Sequence, residues 1–183
     1  MIYHFTLQQV AVVLGAMYFI GHGWALWRHD ACKKIALAFP RNYPAGVALT
    51  LGAGAWFCWL ILNADLMDFA PYRDWFFVGA AALTVGMIIF VREFLAVRAT
   101  GALYLLLANV LLDAAFLDDR PVKFVITVAA YAYVVFGILF VAAPYLMRDM
   151  LTWFYRADRR GKLAAAGGVA FGLLLLGLGI FVY

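Results

Sequence analysis

Apolar residues run along this chain in six long stretches, and nearly every charge falls between them. The stretches cover about residues 6–27, 46–63, 75–91, 99–116, 124–147 and 163–183, each near the ~20 residues that a bilayer core requires of a helix. None alternates with a period of two, and lipid offers no partner to an open backbone group, so the pattern predicts six transmembrane helices rather than barrel strands. The fourth stretch has the shortest apolar core, Ala99 to Leu112, and reaches spanning length only by recruiting residues as far as Phe116.

Composition agrees with the pattern. Hydrophobic residues make up 68% of the 183 positions and charged residues 13%, about half the charged share of a soluble domain. No stretch is polar enough for a soluble domain and no Pro, Gly or Ser linker divides the chain, so the expectation is an all-α, polytopic integral membrane protein with a single domain, a bundle of six transmembrane helices. The start, MIYHFTLQQV, lacks the basic segment of a secretory signal, and the first span is therefore read as a retained helix.

Charge adds an orientation. Arg28, Lys33, Lys34, Arg41, Arg92, Arg98, Arg148, Arg156, Arg159, Arg160 and Lys162 follow the odd-numbered spans, whereas the other side holds only Arg73, Arg120 and Lys123. By the positive-inside rule, this eleven-to-three split predicts that both termini lie outside, in a membrane of the bacterial inner (plasma) type. The loop MLTWFYRADRRGK joins Leu151, Trp153 and Phe154 to a basic tail and reads as an interfacial helix among anionic lipid head groups on the cytoplasmic face.

Candidate chemistry is sparse. The chain has no Walker A loop, no GxSxG and no HExxH, and its two cysteines, Cys32 and Cys58, form no CxxC pair. No catalytic residue is therefore assigned, and no cofactor and no nucleic-acid partner is expected. The acids of the outer loops, above all Asp65, Asp68, Asp113 and Asp119, offer oxygen ligands for a hard cation or a general base, set against the plainer reading of a solvated acidic rim. Asn109 and Asp113 are four apart on one helix face and form the deepest polar pair, better suited to a hydrogen bond across helices than to a solute.

Two features concern packing. His22 stands between Gly21 and Gly23, whose lack of side chains leaves room for a macrocycle, so a single axial histidine to a haem or chlorin is the sharp reading. The plainer one is structural, with the glycines allowing close helix packing and the imidazole bonding a neighbouring carbonyl. His29 lies ~10 Å further along what reads as the same helix, and His4 lies at the other face. Ala164, Gly168 and Gly172 repeat at spacing four and form a small-residue stripe suited to a helix contact. By elimination, the sequence favours a non-catalytic membrane subunit or accessory partner of a larger complex, for example an energy-transducing one, with membrane lipids and other membrane subunits as partners. A small solute or ion transporter or channel, and a membrane enzyme using the outer acids, are the alternatives.

Overall fold

The structure, a computed structural model, describes residue 3, residues 5–116 and residues 118–183. Eight α-helices follow one another among the described residues: α1 (Leu7–Trp27), α2 (His29–Ala38), α3 (Tyr43–Asn63), α4 (Arg73–Phe90), α5 (Leu95–Phe116), α6 (Phe124–Ala142), α7 (Tyr145–Tyr155) and α8 (Asp158–Phe181). Six of them, α1, α3, α4, α5, α6 and α8, are long and apolar enough to cross a membrane.

Local chemistry sets the helix ends, and at two of them it moves a boundary that hydropathy alone misplaces. The fifth span ends at Ala142 instead of running to 147, because Pro144 has no N–H to donate and disfavours helical backbone at Ala143. The chain then starts α7, which begins earlier than the loop reading placed it. The second span begins at Tyr43, where the Asn42 side chain accepts from the Ala45 N–H and Pro44 occupies the first turn. The first span stops at Arg28, whose backbone leaves the helical region (φ −113°, ψ 51°), and α2 starts afresh. His22 and His29 therefore do not share one helix, contrary to the sequence reading.

Glycine governs which helices meet. A methyl group built on Gly15 would lie 2.8 Å from the Leu176 N of α8, and one on Gly172 would lie 2.6 Å from the Phe19 N of α1, so α1 and α8 touch backbone to backbone. Gly101 and Gly137 bring α5 and α6 together in the same way, 2.8 Å separating the Gly101 position from the Gly137 carbonyl. Gly46 seats α3 on α5, and Gly54 receives Thr84 of α4. The result is a row of α4, α3, α5 and α6, with the α1–α8 pair laid against it mainly through α1 and α5.

One end of the bundle is tightly closed. There Leu7, Ala11, Leu111, Ile126, Ala130 and Leu175 form a buried core beside Tyr3. The Tyr3 N–H donates to Asp113 (3.2 Å) and the Trp56 indole donates to the Tyr3 hydroxyl (2.6 Å). Arg120 donates to the Tyr183 and Val182 carbonyls and holds Asp118, whose carboxyl drops to about 2, chiefly through the Arg120 hydrogen bond. This is the terminal end. At the opposite, basic end α6 and α8 diverge, and α7 lies between them.

Candidate functional site

The divergence of α6 from α8 leaves a slot of about 890 Å³. Tyr18 and His22 of α1 and Tyr104 of α5 form its floor, α6 from Phe124 to Phe140 one wall, and Phe171 of α8 the other. Met147, Met150, Leu151 and Phe154 of α7 close the basic end. Their spacing of three, four and seven residues places them on one helical face, so the amphipathic pattern of α7 serves the slot as well as a surface. Phe124, Val128 and Phe136 remain exposed along its side, so the slot opens laterally.

Polar groups gather at mid-height. The Tyr133 and Tyr18 hydroxyls share a hydrogen bond of 3.0 Å, and Tyr104 meets the Tyr133 ring edge-on at 4.9 Å between centroids. The His22 ring lies parallel to that of Tyr18 at 5.2 Å, and its Nδ1 is 3.0 Å from the Tyr18 carbonyl oxygen. That oxygen can only accept, so Nδ1 carries a hydrogen and the Nε2 of the neutral ring is left as an acceptor. No Asp, Glu, Lys or Arg lines the slot.

His22 rests on Gly168, where an added methyl would overlap its ring. Gly21 and Gly23 have no heavy atom near enough to meet such a methyl and face open space. The close helix packing expected of these two glycines is not present there; the glycine that receives His22 sits on α8. His4 lies outside the described residues. His29, 9% exposed, packs against Tyr155 and Gly161, with its Nε2 3.8 Å from Asp158. Beside it the Cys32 sulfur contacts the Tyr155 hydroxyl at 3.3 Å, and burial followed by this hydrogen bond pushes the Tyr155 phenol up to about 12. These contacts fasten α2 to α7 and α8. Both cysteines are free.

The remaining candidates disperse. Among the described residues no three His, Cys, Asp or Glu side chains come close enough to hold a metal, so Asp65, Asp68, Asp113 and Asp119 do not form the expected cation site. Asp65 accepts from the Met67 N–H, Asp113 binds Tyr3, and Asp68 and Asp119 project as exposed side chains. Of these, only Asp65 has a local backbone partner among the described residues, and Asp113 is held by Tyr3 from 110 residues away. Asn109 and Asp113 border a shallow crevice of about 420 Å³ that is separate from the slot. In the span-six stripe, Gly172 is a backbone contact and Gly168 a side-chain contact, but Ala164 is exposed. A strict spacing of four drifts around a helix of 3.6 residues per turn. The buried face instead follows Gly161, Ala165, Gly172, Leu175 and Gly179.

Sequence reasoning missed the tyrosines of the slot. The signal was Tyr18 and His22, four apart and therefore on one face of α1; Tyr104 and Tyr133 come from distant segments, and only the fold brings them in. The fold and the slot together define an α-helical bundle with a lateral, uncharged cavity. No known family model matches the chain, and no curated protein or solved structure does either.

Proposed function

We propose that this chain is a non-catalytic membrane protein that takes one amphiphilic molecule from the bilayer and holds its hydrocarbon chain in the slot between α6 and α8. One observation carries the reading: the cavity is long, laterally open and, among the described residues, lined by no Asp, Glu, Lys or Arg. Its volume falls within the ~300–1,000 Å³ of small-molecule sites. Phe124 to Phe140 spans ~24 Å at 1.5 Å per residue, most of a hydrocarbon core of ~30 Å. That length suits an extended hydrocarbon chain lying along α6.

Assembly with other membrane proteins is the companion proposal, supported by α4. That helix packs on α3, buries only Ala80 and leaves Trp75, Leu83, Ile89 and Phe90 exposed. Native mass spectrometry after mild-detergent purification tests both. The wild-type chain should carry one bound amphiphile and arrive with partner chains. Ala132→Trp, which fills the slot from an exposed position of α6, should arrive without the amphiphile. Wild type and variant of equally bare mass would refute the binding reading, and a lone chain would refute assembly.

The basic end is proposed to face the cytoplasm and the terminal end the outside, on the strength of the eleven-to-three split of basic residues. Reporter fusions at Arg159 and Tyr183 should then report opposite faces, cytoplasmic and external. The reverse assignment would contradict the orientation.

A further inference from the structure

The polar groups at mid-height of the slot specify a ligand head, an inference that rests on the amphiphile-binding reading and goes beyond it. Tyr18 and Tyr133 share one hydrogen bond, so whichever hydroxyl donates, the other keeps a free O–H hydrogen. His22, with Nδ1 committed to the Tyr18 carbonyl, presents Nε2 as a lone-pair acceptor, and it has no hydrogen-bond partner among the described residues. Tyr18 and His22 are four apart on α1, so the spare donor and the spare acceptor stand one helical turn from each other. A head that both donates and accepts satisfies the pair. A phosphate, carboxylate or ammonium head meets no Asp, Glu, Lys or Arg among the described residues of the slot, and burying an unpaired charge is costly. An ester or ketone accepts from tyrosine but leaves Nε2 unpaired.

We propose that the slot binds a neutral, hydroxyl-headed amphiphile of the bilayer, whose O–H donates to His22 Nε2 while its oxygen accepts from the Tyr18–Tyr133 pair. The head then sits about midway along α1 and α6, and the hydrocarbon runs along α6 beside Phe136 and Phe171. A neutral head can be brought to that depth without a counter-ion, and its two hydrogen bonds replace those it gives up on leaving the membrane surface.

Photo-crosslinking in lipid nanodiscs tests this, using three diazirine-bearing probes matched in chain length: a long-chain alcohol, the corresponding fatty acid and a phosphatidylcholine. The alcohol should label peptides of α1 and α6 about tenfold more than either charged-head probe. Replacing both hydroxyls (Tyr18→Phe with Tyr133→Phe) should remove that preference, since it deletes a hydrogen bond without changing ring shape. Ala132→Trp should abolish labelling by all three. Thermal melting of each variant near wild type establishes that the loss is local. Equal labelling by all three probes, unchanged in the double Phe variant, would overturn the head assignment and leave chain binding standing. Labelling of the slot by none of them would overturn both.

Discussion

Three neighbouring positions of α8 show how much a single missing methyl group controls. At Gly172 an added carbon meets the backbone nitrogen of Phe19 at 2.6 Å, and backbone cannot turn aside. At Gly168 it meets the His22 ring, a side chain that moves only by giving up its stack on Tyr18. At Gly167 it meets nothing. Overpacking of a closed contact costs ~1–3 kcal/mol, whereas alanine for glycine in an open helix position gains ~0.5–1 kcal/mol. Gly172→Ala should therefore lower the melting temperature most, Gly168→Ala less, and Gly167→Ala should leave it level or raised. Thermal melting in detergent checks the order; a neutral Gly172→Ala would mean that α1 and α8 are not in backbone contact. The sequence displayed these glycines plainly, but not which of them face a helix. Gly21 and Gly23 flank a histidine and still face open space, because residues adjacent on a helix point ~100° apart.

At the scale of elements, length and apolarity made all six long helices legible, since few other solutions satisfy a backbone in hydrocarbon. Their ends depend on residues that hydropathy does not weigh. Asn42 and Pro44 start α3 three residues before its apolar run, and Pro144 separates α6 from α7 inside an apolar run that reads as continuous. The short helix α2 carries Asp30, Lys33 and Lys34 and was hidden by its polarity. Its seat depends on Lys33 reaching Asp158 (2.9 Å) and Cys32 reaching Tyr155, pairs more than a hundred residues apart in sequence. The candidate site was legible only at His22, and its tyrosines became visible once α5 and α6 were brought beside α1. The loop acids do not gather as a metal site for the opposite reason: Asp65 turns to the backbone beside it, Asp113 to distant Tyr3, and Asp68 and Asp119 to solvent.

For the molecule as a whole, the slot follows from the order of helix contacts. α1 locks to α8 and α5 to α6 through glycine, and the two pairs are held together at the terminal end by a buried core, Tyr3 and the Arg120 contacts with the chain's last residues. Toward the basic end no comparable glycine contact joins α6 to α8, and α7 closes the gap with Met147, Met150, Leu151 and Phe154. Two thioethers in that lid suit an occupant of variable shape, because methionine adapts its packing at little cost. The central claim is that this gap is a filled binding site rather than a place where two helices have failed to meet. A density map of the protein crystallised from a lipid mesophase tests it most directly. An elongated density along α6 is expected, running past Phe136 and reaching within hydrogen-bonding distance of the Tyr18 and Tyr133 hydroxyls. A map in which α6 and α8 have closed on each other, with Tyr133 packed against Phe171 and no room between, would contradict it.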